Sequence, residues 1–168
     1  MLFRSVVLWL AGCEHHCKGC QNPVTWDPEG GLEFDIKARE DLYRELQKPH
    51  ISGVTFSGGD PLHPNNRAEV MRLAALVKHL YGKTVWLYTG YEWEQIQRLP
   101  GSENIDVLVD GKFVEELADV TYPWAGSTNQ RVIDVKKSLE TGNVISYITE
   151  EKEVYHEGIS GYDAGKCC

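Results

Sequence analysis

The sequence predicts an α/β fold in which helices cover a parallel sheet. Short apolar runs rich in β-branched residues alternate with segments of helical spacing. The runs are nearly continuous in apolar residues, as strands buried on both faces are. Each unusual loop also follows or precedes a strand at the end where parallel sheets gather ligands. At 168 residues and 42% hydrophobic, the chain can bury the core of about one domain. We read residues 1–150 as that domain and 151–168 as a C-terminal tail of unassigned role.

SVVLWL (5–10) is the first strand, expected to be buried, and a long polar loop (12–31) follows. The opening MLFRSVVLWLAG has the order of a secretion signal, but its apolar run is short and Cys13 follows at once. IKAREDLYRELQ (36–47) reads as a helix capped by Asp35 and ended by Pro49. GVTFSG (53–58) is the second strand. The next helix should start at Asn66, with Glu69 completing a capping box. Its stripe of Val70, Leu73, Ala74, Val77, Leu80 and Tyr81 has helical spacing, and Gly82 stops it. TVWLYTG (84–90) is the third strand, EWEQIQRL (92–99) a short helix, and IDVLVDG (105–111) the fourth strand. FVEELADV (113–120) reads as another short helix and TYPWAGSTNQ (121–130) as a loop. RVIDV (131–135) is the fifth strand, and VISYIT (144–149) is a candidate sixth.

The formal charge of −8 disfavours nonspecific nucleic-acid binding, which needs a basic face. No apolar run approaches the ~18 residues of a membrane span. The five cysteines are an odd count, with three in residues 13–20 and two, Cys167 and Cys168, closing the chain. A secreted disulfide framework usually has an even count. We therefore expect a reducing, cytoplasmic setting with metal chemistry at the first cluster.

CEHHCKGC (13–20) holds Cys13, Cys17 and Cys20 at i, i+4 and i+7. A helix would turn them into a stripe of small buried hydrophobes. Gly12, Gly19, Pro23 and the polar residues between them oppose a helix, which would also set Cys13 about 10 Å from Cys20 along its axis. A loop wrapped around one centre suits three converging thiolates better. Zinc is one candidate, with His15, His16 or a terminal cysteine as the fourth ligand. A four-iron cluster is the other. It normally takes four cysteines, so three would leave one iron open to a further ligand. SGGDP (57–61) follows a strand and precedes the strongest helix. Its two glycines let backbone approach a ligand closely. It fits neither a Walker loop nor GxGxxG.

These residues together resemble the radical S-adenosylmethionine (SAM) superfamily, which has the same three-then-two cysteine spacing. FSGGDPLHPNN is similar to its SAM-binding segment in the branch that activates anaerobic (class III) ribonucleotide reductase. CQNPVTW, LYTGY, DVLVDGKF and GSTNQRVID match the same branch, so the likeness runs over about residues 4–135.

The resemblance implies a partial, open parallel β/α barrel, since a full one needs about 250 residues. It implies that Cys13, Cys17 and Cys20 hold a [4Fe–4S] cluster whose open iron chelates SAM. One electron would split a carbon–sulfur bond of SAM, and the resulting radical would take a hydrogen atom from a glycine of the large reductase subunit. Ser57, Gly58, Gly59 and Asp60 would line the SAM amino group, and Thr89 would face the cofactor. Arg131 would pair with the SAM carboxylate, and Asp110 and Asn129 are further candidates. No side-chain acid or base is needed, so none is assigned as catalytic. Trp26 would either cover the cluster or pack in the core, His15 and His16 would be solvated, and His63 would be structural. The electron would come from a donor such as flavodoxin or a reduced thiol system, and neither nucleic acid nor membrane is expected as a partner. The chain departs from many superfamily members at Gly19, where an aromatic residue would meet the adenine. Activation of another glycyl-radical enzyme, a carboxy-deazaguanine synthase and a zinc-bound interaction module are the alternative readings.

Overall fold

A computed structural model describes residues 4–147. Its centre is a five-stranded sheet in sequential order: β1 (Ser5–Leu10), β2 (Gly53–Gly58), β3 (Thr84–Tyr88), β4 (Val107–Asp110) and β5 (Arg131–Asp134). The first four strands are parallel, and β5 runs antiparallel to β4. The helices are α1 (Ile36–Leu46), α2 (Arg67–Tyr81), α3 (Trp93–Ile96) and α4 (Val135–Thr141). Because the strand order never reverses, right-handed crossovers carry the helices to the same face. On that face Val54, Phe56, Val85, Leu87 and Leu108 form one core with Leu42 and Leu46 of α1 and Val70, Leu73, Ala74 and Val77 of α2.

The opposite face is covered unevenly. Trp86, Val107, Val109 and Val132 form a second, smaller cluster with Tyr88, Ala125 and Tyr147. The rings of Trp124 and Tyr147 each lie 5.3 Å from that of Trp86. The cover stops short of β1, which is an edge strand. Val7 is 45% exposed and Trp9 58%. The expectation of a fully buried first strand is therefore corrected: only Val6, Leu8 and Leu10 pack on the helical core.

Other local expectations are also revised. Asp35 caps α1 as expected, accepting from the Ala38 amide at 2.8 Å. Asn66 makes no side-chain cap on α2. Its amide instead donates to the carbonyls of Ala11 (2.7 Å) and Asp60 (3.3 Å), while Glu69 pairs with Arg72 and Arg39. Tertiary partners have displaced the capping box. Segment 113–120 forms only a 3₁₀ turn, Glu115–Leu117. Without a crossover helix there, the chain folds back, and β5 returns antiparallel where a parallel strand was expected. Helix α4, ended by left-handed Gly142, was not anticipated. In the expected sixth strand, the described residues form one antiparallel bridge, Ser146 to Ile133. Residues 148–150 of the expected domain, the expected tail, and Cys167 and Cys168 lie outside the described residues. No helix among the described residues is long and apolar enough to cross a membrane.

Candidate functional site

Parallel register brings the ends of β1 and β2 side by side, with Leu10 opposite Gly58. The loops that leave them are joined at once. Gly59 donates its amide to the Leu10 carbonyl and Asp60 donates to the Gly12 carbonyl, each at 2.7 Å. The cysteine loop is then held from its far side, where Gly12 donates to Thr25 (2.8 Å) and Cys13 to Trp26 (3.1 Å). Only glycine fits position 59, because a Cβ there would stand 2.5 Å from the Gly12 oxygen and 2.8 Å from that of Thr25.

The segment 11–22 contains no helix, as expected. Cys13, Cys17 and Cys20 are free, half-buried thiols that line one cavity of about 180 Å³. Ser57, Gly58, Gly59, Asp60 and Thr89 line the same cavity. Burial pushes the Cys13 thiol above its ordinary range, and the nearby Asp60 carboxylate adds to the effect against hydrogen bonds from the backbone of His15 and His16. The Asn22 amide donates to Cys20 Sγ at 3.4 Å. Among the described residues, no three His, Cys, Asp or Glu side chains form a group suited to one metal ion. The three thiols share their cavity with the glycine-rich Ser57–Asp60 wall.

Asp60 organises this wall. The side chain is 2% exposed, and its carboxylate accepts from four donors. These are the Leu62 amide (2.7 Å), Thr89 Oγ1 (2.8 Å), the Gly90 amide (2.9 Å) and His15 Nε2 (2.7 Å). A carboxylate offers about four lone-pair sites, so the protein itself fills them. Thr89 is also occupied, since its hydroxyl accepts from the Tyr91 amide at 3.2 Å. The expectation that His15 is solvated is corrected: only 9% of its side chain is exposed. Its ring packs edge-on to Tyr91 at 4.7 Å. His16 is exposed and stands edge-on to Trp26 at 4.8 Å. His63 is buried and accepts from the Asn65 amide, which fits a structural role.

The remaining candidates occupy a neighbouring cavity of about 750 Å³ that shares Gly90 and Gly111 with the first. Asp110, Asn129 and Arg131 line it. Arg131 faces Asp110 in the antiparallel register. Its Nε donates to Asp110 at 3.0 Å, and its terminal nitrogens reach Glu94 at 2.9 and 3.1 Å. Asp110 first and Glu94 second hold the guanidinium well above its ordinary range. A buried carboxylate such as Asp110 needs a counter-charge, and the facing strand supplies it. Asn129 donates to the Lys112 carbonyl at 2.9 Å.

Sequence reasoning passed over other residues of the cysteine-lined cavity. Gln130, Phe113 and Gly126 line it, and the Gln130 carboxamide bridges the Gly111 carbonyl and the Gly126 amide. Gln130 lay inside the GSTNQR segment, beside the more conspicuous Arg131. Trp26 lines the cavity too, so it stands at the site rather than in the core.

Comparison with known proteins gives concordant results. A family described as "4Fe-4S single cluster domain" matches residues 3–133. The chain is 41% identical over 128 residues to an anaerobic ribonucleoside-triphosphate reductase-activating protein of Enterobacteria phage T4, covering 76% of this chain and 81% of that protein. It is 37% identical over 130 residues to the protein of the same name in Escherichia coli (strain K12), covering 74% and 84%. The corresponding protein of Pasteurella multocida is 40% identical over 133 residues, with 73% and 82% covered. No solved structure matches the chain significantly.

Proposed function

Since the chain belongs to the 4Fe-4S single cluster domain family and, within it, to the anaerobic ribonucleoside-triphosphate reductase-activating proteins, we propose that it activates such a reductase by radical SAM chemistry. In this reading Cys13, Cys17 and Cys20 would hold a [4Fe–4S] cluster. Once bound and reduced by an external donor, that group would supply the single electron needed to split a carbon–sulfur bond of SAM, and a hydrogen atom would then be taken from a glycine of the large reductase subunit. The observation that carries the reading is the single cavity shared by the three free thiols and the Ser57-Gly58-Gly59 backbone.

The chain's own residues position and enclose. Ser57, Gly58 and Gly59 offer backbone and hydroxyl groups to the SAM amino group, with few side chains in the way. Asp60 and Thr89 act by holding three loops in register around the space. Asp110, Asn129 and Arg131 form the adjoining wall, where Arg131 reaches the SAM carboxylate only by loosening its hold on Glu94. The sequential strand order and one-sided helices support a partial, open β/α barrel, in which residues 1–150 form one domain. The setting is the cytoplasm, and the electron comes from a flavodoxin or a reduced thiol system.

The test is anaerobic purification followed by incubation with SAM, a reductant and the reductase subunit. About four irons per chain with matching sulfide, and a glycyl doublet in electron paramagnetic resonance, are expected. The variant Cys17→Ala should lose both. Colourless protein carrying one zinc would end the proposal.

A further inference from the structure

We propose that the indole N–H of Trp26 donates a hydrogen bond to a sulfur of the iron–sulfur cluster and thereby sets its reduction potential. This rests on the cluster reading above. Among the described residues, Trp26 Nε1 is the buried side-chain nitrogen or oxygen that has no hydrogen-bond partner. A buried N–H left unsatisfied costs about 1–3 kcal/mol, and indole has no second polar group to compensate. The same side chain lines the cavity into which the three cysteines face.

Its position is fixed from several sides. The Trp26 amide donates to the Pro23 carbonyl at 3.2 Å, and its carbonyl accepts from the Cys13 amide at 3.1 Å. His16 stands against the ring at 4.8 Å. The indole is thus tied through the backbone to one cysteine and packed against the loop that holds the other two. A donor held there meets thiolate or sulfide, both acceptors that gain negative charge when the cluster is reduced. Hydrogen bonds to cluster sulfurs are among the factors that set the potential. A bond that strengthens on reduction raises it.

Two replacements isolate the N–H. Trp26→Phe keeps an aromatic ring, and benzothienylalanine at position 26 exchanges only the indole N–H for sulfur. Each is made in the full chain, reconstituted anaerobically with iron and sulfide, and assayed for metal content. The potential is then read by dye-mediated titration without SAM or reductase, so turnover plays no part. At the parent's midpoint both proteins should show a reduced-to-oxidised ratio about tenfold lower than the parent, which is a shift of about 59 mV for a one-electron couple. The parent should also show an exchangeable-proton coupling to the reduced cluster that the benzothienyl protein lacks. Where the benzothienyl protein does not load iron, the parent's exchangeable-proton coupling, read with indole-15N tryptophan, decides: its presence supports the bond and its absence overturns it. Normal iron content with unchanged potential and couplings would overturn this inference and leave the cluster reading standing. A parent protein that takes up no iron–sulfur cluster would overturn both.

Discussion

His15 Nε2 lies 2.7 Å from Asp60 Oδ2, joining the cysteine loop to the glycine-rich loop across 45 residues of sequence. The same carboxylate takes Thr89 and Gly90 from the loop after β3. Three loops that leave three adjacent strands are thereby held by one buried anion. Parallel strands make this economical, because their C-terminal ends emerge on one rim.

Asp60→Ala should remove four acceptor contacts and leave two backbone amides, of Leu62 and Gly90, without partners. Each buried unsatisfied group costs about 1–3 kcal/mol. We expect a loss of about 3 kcal/mol in denaturant unfolding, with poorer retention of iron. A loss under about 1 kcal/mol would mean that the carboxylate does not organise the rim.

Gly59→Ala and Gly82→Ala separate collision from backbone strain. At Gly59 the new methyl would meet two carbonyl oxygens at 2.5 and 2.8 Å. At Gly82 it would meet nothing within 4 Å, and only the left-handed conformation (φ +60°) penalises it. Gly82→Ala should cost about 1–2 kcal/mol and leave iron binding intact. Gly59→Ala should cost more and lower the iron content, because the two loops must part.

Arg131→Ala leaves the buried Asp110 carboxylate without its cation. Breaking such a pair costs about 3–5 kcal/mol when fully buried. Arg131 is partly exposed, so a thermal or denaturant melt should show about 2–3 kcal/mol. The acid limb should change as well. Hydrogen bonds from Arg131 hold the Glu94 carboxyl below its ordinary range. A depressed carboxyl adds stability above its unfolded value of about 4.3 and loses it as pH falls through the lower folded value. The variant's stability should therefore fall less steeply below about pH 4.3. Glu94 is half exposed, so that share is under about 1 kcal/mol.

Trp9→Ser and Phe56→Ala probe the two faces of the sheet. Phe56 is fully buried among the helices, and its truncation should cost about 3–5 kcal/mol. Trp9 stands on the uncovered part of the other face at the edge strand. Its replacement should change stability by less than about 1 kcal/mol. A large loss there would mean that β1 is covered in solution.

The elements with strong periodicity were legible in the chain. The apolar stripe of α2 from Val70 to Val77 and its stop at Gly82, and the cap of α1 at Asp35, follow from local spacing and side-chain chemistry, whereas Leu80, expected in the stripe, is 76% exposed in the last turn. Where a local signal had a distant competitor, it failed. Asn66 left its capping role for the Ala11 carbonyl, and His15 left solvent for Asp60. No residue window contains those partners.

By itself the sequence determined the strand–helix rhythm, the loop character of CEHHCKGC and the placing of each unusual motif at a strand end. These depend on neighbours within a few residues. Tertiary structure alone decided that β5 reverses, that Arg131 is held by Asp110 and Glu94, and that Asp60 is filled by protein donors. Each of those outcomes is a choice among partners that come within reach only after the sheet has assembled, when burial makes an unpaired charge or N–H too costly to leave.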